Sequence, residues 1–454
     1  MRTIPMDQDW RFSCAPTEDW IRRVPGFAER TVNLPHDFRL ELARTADAPG
    51  GNSEAYHPGG VGFYEKTFQA DEALCAGRAL LCVDGAYRLT SVRLNRELVA
   101  LHTGGYTAFF ADLTGLLKPG ENHLLLTVDA SLAPASRWYT GAGLYRSVSL
   151  WVGGRTSIDP WGLSISTPDL CTVQVSAAIS EAQRMPTLRH MILDESGKVV
   201  AQSHASAGAT QFLHVPDAKP WHPDHPHLYT LRSELMQRDE VLDTQTATFG
   251  FRTVSVGPKG LLLNGMPLKL RGGCVHHDNG LLGSKSHPDA ELRKIRLLKE
   301  SGFNAVRCAH NPPSAAFLDA CDALGMLVMD EAFDCWNEGK KQLDDHVFFA
   351  LHWEAELSSM ILRDRNHPSV ICWSIGNEIV ERSGISDGAA WSRRLANKAR
   401  ALDPTRPVCS AVCNFFEDPA IAEMAANSLA TSGDGKDFWA ERSEGYLAPL
   451  DICG

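Results

Sequence analysis

The run Val370-Ile-Cys-Trp-Ser-Ile-Gly-Asn-Glu378 constrains the fold more than any other stretch of this chain. Four of its first five residues are apolar or aromatic, with no polar alternation. A run of that kind reads as a strand buried on both faces, as in a parallel sheet covered by helices. It breaks at Gly376 into an amide and a carboxyl group, Asn377 and Glu378. The C-terminal tips of such strands are where parallel barrels display their reactive side chains.

The surrounding sequence obeys the same grammar from about residue 257 onward. Strands are expected at 268–273, 304–308, 326–330, 370–378, 408–412 and 450–454, with helices at 288–301, 313–324, 346–365 and 389–402. Leu292, Ile295 and Leu298 mark the apolar face of the first helix, and Phe317, Leu318, Cys321 and Leu324 that of the second. Strand–helix alternation means parallel strands joined by helical crossovers. A closed (β/α)8 barrel needs eight strands. The sequence supplies about six, so an incomplete TIM barrel, truncated before strands 7 and 8, is expected over 257–454.

Upstream the pattern is all-β. Short alternating segments such as Gly62–Phe68, Arg78–Val83, Ser91–Asn95 and Asn122–Val128 are separated by turn residues, including the glycine pairs at 59–60 and 104–105. Residues 1–156 read as a β-sandwich of jelly-roll type. Residues 157–256, with alternating runs at 172–178 and 228–235, match the size of an immunoglobulin-like sandwich.

The 454 residues leave room for two to four domains at roughly 100–200 residues each. A formal net charge of −11 argues against a nucleic-acid or anionic-membrane partner. No apolar run is long enough for a membrane span. The first ten residues lack the apolar core of a secretory signal, so a cytoplasmic location is expected. The 12 cysteines contain no C-x-x-C pair. Cys82, Cys274, Cys308, Cys372 and Cys453 sit in apolar runs and read as buried, reduced thiols.

Chemistry-bearing residues gather at the expected strand ends. They are His276-His277-Asp278, His310-Asn311, Asp330-Glu331, Asp334 with Trp336, and Trp373, Asn377 and Glu378. Carboxylates, imidazoles, an amide and indoles suit a hydroxyl-rich ring with an apolar face. Each has a structural alternative. Glu378 can also be a structural carboxylate, and His276-His277-Asp278 a metal site, although its spacing is not that of a recognisable ligand set. His310 and Asn311 can cap the helix after Pro312-Pro313, and Trp373 can be core. The cluster His222-Pro-Asp-His225-Pro-His227 reads as a loop.

Asn33-Leu-Pro-His-Asp37, Gly62-Phe-Tyr64, Ser136-Arg-Trp-Tyr-Thr-Gly-Ala-Gly-Leu-Tyr-Arg146, Phe249-Gly-Phe-Arg252 and Asn264–Gly272 resemble segments of glycoside hydrolase family 2, the β-galactosidase/β-glucuronidase group. The most specific match is Asn366-His-Pro-Ser-Val-Ile-Cys-Trp-Ser-Ile-Gly-Asn-Glu378. Asp330-Glu-Ala-Phe-Asp-Cys-Trp336, followed by Gly339-Lys340, is similar to bacterial β-galactosidases.

The resemblance implies a retaining hydrolase of terminal β-D-galactosides, bacterial in origin, with a carbohydrate substrate and neither cofactor nor metal. A homo-oligomer is compatible with it. Glu378 would be the general acid/base, and Asn377 would bond the hydroxyl beside the anomeric carbon. His310, Asp278 and Asp334 would hold other hydroxyls, Trp336 would wall the ring, and Arg137 would reach in from the first domain. The family's nucleophile is a Glu on the seventh strand. Glu381, Glu417, Glu423, Glu441 and Glu444 all precede the expected sixth strand, so the nucleophile is expected to be absent and the chain weakly active or inactive. The alternatives are a β-glucuronidase or β-mannosidase of the same family, or a non-catalytic carbohydrate-binding protein.

Overall fold

The computed structural model describes residues 1–15, 29–135, 137–180, 186–258, 260–413 and 438–453, with side chains in the last stretch from residue 443. Its N-terminal part is two antiparallel sheets. A four-stranded sheet runs in the order Arg2–Pro5, Val148–Gly153, Arg78–Val83, Phe109–Asp112. A six-stranded sheet contains Val61–Ala70 beside Gly120–Asp129. Leu89–Leu94 alternates strictly between half-buried and buried positions, as a strand with one face on the core must. Trp10, Tyr64, Leu81, Leu126, Tyr145 and Leu150 fill the shared core.

The next part pairs a three-stranded sheet, Ser157–Ser166, Thr172–Ser180 and Gln211–His214, with a four-stranded one built on Thr187–Leu193 and Tyr229–Gln237. Val173, Val175, Ile192, Leu231 and Phe249 form its core. The histidine cluster expected as a loop is instead a small hairpin, Trp221–His222 against His225–Pro226. Buried Trp221 anchors it, with its indole N–H donating to Asp322 O at 2.9 Å.

The parallel sheet has six strands among the described residues, in sequential order: β1 Gly272–Val275, β2 Ala305–Cys308, β3 Leu327–Glu331, β4 Val370–Asn377, β5 Val408–Ala411 and β6 Ile452–Cys453. Helices α1 Pro288–Glu300, α2 Ala315–Leu324, α3 His346–Asp364, α4 Gly388–Leu402 and α5 Phe438–Leu447 lie between them. All eight residues of β4 are buried. The first strand starts four residues later than the expected 268. Asn264 and Gly265 both have positive φ, 53° and 76°. They form a two-residue turn that folds Met266–Pro267 back on Gly260–Leu263.

Every described cysteine is a free thiol, but Cys274 and Cys453 are exposed. They lie on β1 and β6, which each have one neighbour strand among the described residues. Their apolar runs were therefore a poor guide to burial.

Candidate functional site

The β4 tip is held from both sides. Asn377 N–H donates to Phe333 O at 3.0 Å in the segment after β3, and Glu378 N–H to Ala411 O at 2.7 Å on β5. Glu378 itself has φ +46°. A glutamate in left-handed geometry costs about 1 kcal/mol or more and persists only where its surroundings enforce it. The bend follows the end of the strand and leaves the side chain 43% exposed.

Asp334 is the hub beside it. Its carboxylate accepts from Arg137 Nε and Nη2 at 2.7 and 2.8 Å, from Lys340 Nζ at 2.7 Å and from Asn377 Nδ2 at 2.8 Å. Burial opposes ionisation, but Arg137 and Lys340 outweigh it and hold the carboxyl far below the usual range. Lys340 Nζ also donates to Asn377 O at 2.9 Å and lies 3.9 Å from Glu378 Oε2. Arg137 therefore does reach the barrel from the first sandwich.

A second hub lies deeper. Glu331, wholly buried on β3, accepts from Arg307 Nε and Nη2 at 2.9 and 2.8 Å and from Ser374 Oγ at 2.7 Å. Arg307 Nη2 donates to Asn377 Oδ1 at 2.6 Å. The Asn377 amide is thus oriented by opposite charges, its oxygen on Arg307 and its nitrogen on Asp334. His310 Nδ1 sits 3.2 Å from both Glu331 Oε1 and Arg307 Nη2.

The sequence singled out Glu331 at a strand end but assigned no role in the site to Glu331, Arg307 or Lys340. Their signal was weak because a charged residue next to a strand end is usually solvated. The sequence also missed Tyr139 of the first sandwich, whose ring stacks on His276 at 3.9 Å.

Other expectations change. Trp336 is fully buried, donating from Nε1 to Ile375 O at 2.9 Å and stacking on Phe349. It supports the strand tips from below and does not form a wall open to a ligand. Trp373 is also core, bonded to Asp403 Oδ2 at 3.0 Å. Ser374 reaches the Glu331 hub while Trp373 and Ile375 pack into the core on the other face. The pairing with β5 slips between Ser374 and Asn377, and after that break Asn377 reaches the hubs too. Ser314, and not His310 or Asn311, caps α2, accepting from Phe317 N at 3.2 Å.

Asp278 is half-buried, close enough for its charge to act on His276. His276 Nδ1 donates to Ala309 O at 2.7 Å and His277 Nε2 to Tyr139 O at 2.8 Å. Burial pushes the His277 ring down to about 3. Among the described residues, the group with metal-ligand spacing is Asp319, Asp322 and His367. There His367 Nδ1 bonds Asp322 Oδ2 at 2.6 Å, and Ser369 N–H takes the other oxygen at 3.0 Å. Of the remaining glutamates, Glu381 is buried and accepts from Glu338 N at 2.9 Å, while Glu444 is exposed on α5. Glu417, Glu423, the Glu441 side chain, Ser136 and Gly454 lie outside the described residues.

A partly exposed carboxylate beside an oriented amide, with cations and imidazoles around it, can transfer protons to and from a hydroxylated ligand. Comparison with known proteins bears on this. Residues 254–433 match the domain described as "Glycosyl hydrolases family 2, TIM barrel domain", and residues 163–252 match "Glycosyl hydrolases family 2". The chain is 36% identical to the beta-galactosidase BoGH2A of Bacteroides ovatus, over 89% of this chain and 53% of that protein. It is 33% identical to a putative beta-glucuronidase of Formosa agariphila, over 90% of this chain and 40% of that one. A crystal structure of a glycosyl hydrolase family 2 member from Bacteroides cellulosilyticus superposes with a TM-score of 0.89 at 35% identity, covering 100% of this chain and 58% of that chain. The chain spans about half the length of the curated relatives it matches.

Proposed function

The chain belongs to glycosyl hydrolases family 2, and from that premise we propose that it carries the acid/base half of a retaining glycosidase acting on terminal β-D-galactosides. In this reading residues 1–156, 157–256 and 257–454 are a jelly-roll sugar-binding domain, an immunoglobulin-like domain and the catalytic barrel. The observation that carries it is the contrast among the strand-tip carboxylates. Asp334 and Glu331 are each clamped by guanidinium groups, whereas Glu378 is 43% exposed with its nearest cation 3.9 Å away.

Glu378 protonates the leaving oxygen and then activates water on the return step, the two duties of a retaining acid/base. Asn377, fixed at both ends of its amide, keeps one hydrogen and one lone pair for the hydroxyl next to the anomeric carbon. Asp278, His310, Asp334 and Arg137 hold the remaining hydroxyls. A retaining site also needs a second carboxyl group about 5–5.5 Å from the first. Asp334 and Glu331 are committed to cations, Glu381 is buried and Glu444 lies exposed on a helix.

β-D-Glucuronides are the second reading. Arg137, Lys340 and Arg307 face Asp334, Glu331 and Glu378. With Asp278 the set holds three cations and four carboxylates, so protonating Glu378 leaves it neutral towards a sugar carboxylate. The likeness to a putative beta-glucuronidase supports this reading.

Calorimetry tests both readings without requiring turnover. Binding of D-galactose that is lost in Asn377→Ala supports the galactoside reading. Stronger binding of D-glucuronate moves the assignment to glucuronides. Absence of binding by either sugar removes the glycosidase reading.

A further inference from the structure

A second cavity opens beside the strand-tip site, where the turn Thr103–Thr107 of the first sandwich meets α3. It encloses about 50 Å³, room for about three or four waters or a group of that many heavy atoms. Tyr106, Phe348 and Trp353 supply aromatic walls, and Glu356, Thr103 and His352 supply polar ones. Its inner end reaches His310 and Asp334.

Glu356 is the unusual member. Its side chain is only 13% exposed. It accepts from the Thr107 hydroxyl, and its ionic neighbour within 4 Å is the His102 ring at 3.6 Å. Burial pushes that ring down to about 4, so it brings no charge at neutral pH. Among the described residues no lysine or arginine pairs with Glu356. Burial raises its carboxyl to about 7. The backbone turn is moulded to this carboxylate, since a Cβ on Gly104 would lie 2.1 Å from its Oε2. Thr103 supplies a separate clue. Its hydroxyl oxygen is buried and has no hydrogen-bond partner. Asp345, also on the wall, is already bonded to Arg88 at 3.3 Å.

A buried carboxylate with no lysine or arginine beside it, whose charged neighbour is the His352 ring on the same wall, shares one small cavity with a spare hydroxyl and aromatic faces. We propose that this cavity binds a primary ammonium group on a short hydroxylated stem, with Glu356 as its counter-ion, Thr103 as its hydroxyl partner and the aromatic walls facing its cation. The carboxylate lining excludes anions of the same size. The inference stands apart from the sugar reading, because it needs neither turnover nor a bound sugar.

Ethanolamine is the probe and glycolate its anionic counterpart, both titrated into the 454-residue chain and followed by Trp fluorescence and calorimetry. Ethanolamine is expected to bind and glycolate not. Glu356→Gln should weaken ethanolamine by about tenfold or more, the cost of losing a hydrogen bond to a charged group. Thr103→Val should weaken it less. Glu354→Gln, on the exposed face of the same helix, should leave it unchanged. Thermal unfolding of each variant shows that the fold is retained. No ethanolamine binding by the unaltered chain, equal binding by Glu356→Gln, or equal binding of glycolate would each overturn the proposal.

Discussion

Asp334 shows what a single residue does here. It neutralises two cations that otherwise would repel across the strand tips, and it aims the Asn377 amide. Asp334→Asn is expected to destabilise the fold by about 2–3 kcal/mol, because it leaves Arg137 and Lys340 partly buried without their counter-ion. Urea unfolding measures this. The sign of the pH effect follows from its depressed folded pKa. The stabilisation is present above the unfolded carboxyl pKa near 3.8 and is lost as pH falls towards the folded value. Wild type should therefore lose more stability than Asp334→Asn on acidification below about pH 4. At this scale the sequence was legible for the tip itself. Asn377, Glu378, Asp334 and His310 gather at the strand ends that the periodicity placed together, whereas Arg137, on a loop of the first sandwich, was expected only from the resemblance. Glu331, Arg307 and Lys340 were not legible as a network. Which charges pair depends on loop paths, and a periodic pattern does not encode those paths.

Elements were read more reliably than their ends. The helices expected at 288–301 and 346–365 are present to within a residue, since their apolar faces recur at helical spacing. The first strand was misplaced because the Asn264-Gly265 turn was not weighed against the apolar residues after it. Two caps of α2 are open to test. Ser314→Ala removes the bond to Phe317 N and should cost about 1 kcal/mol. Gly325→Ala should cost more. Gly325 has φ +73°, and a Cβ there would lie 2.2 Å from Pro223 O, a backbone atom that cannot swing aside. Thermal melts of both variants set the order.

His367, between α3 and β4, gives a pH prediction of opposite sense. Burial lowers its ring pKa, but Asp322, with support from Asp364 and Asp319, prevails and lifts it to about 9. Its stabilisation is complete below the unfolded value of 6.5 and fades as pH rises through about 9. A ¹⁵N spectrum of the ring should show imidazolium at pH 7.5. His367→Gln should flatten the alkaline loss of stability.

The whole molecule is tied across its parts by buried arginines. Arg146 of the first sandwich donates to Pro312 O at 2.8 Å. Arg252, at the end of the second, donates to Pro368 O and Val370 O, each at 2.9 Å. Arg252→Ala would leave Pro368 O without its partner over a cavity, while Val370 O keeps its bond from Arg406 Nε at 2.7 Å, at a cost of about 3 kcal/mol. Calorimetry should then resolve two transitions where the unaltered chain shows one. None of these ties was visible in the sequence, because their acceptors are backbone carbonyls and any residue can supply one.

Arg137 and Asp334, 197 positions apart, carry one further consequence. The pocket cannot be inherited piecemeal. A recombination event that exchanged one relative's sandwich for another's would keep every strand and every helix, yet it would bring a foreign side chain against Asp334. Lineages that shuffle these domains must carry both partners together or rebuild the salt bridge afterwards. Residue pairs across that seam should therefore change in step, while the surfaces around them drift independently.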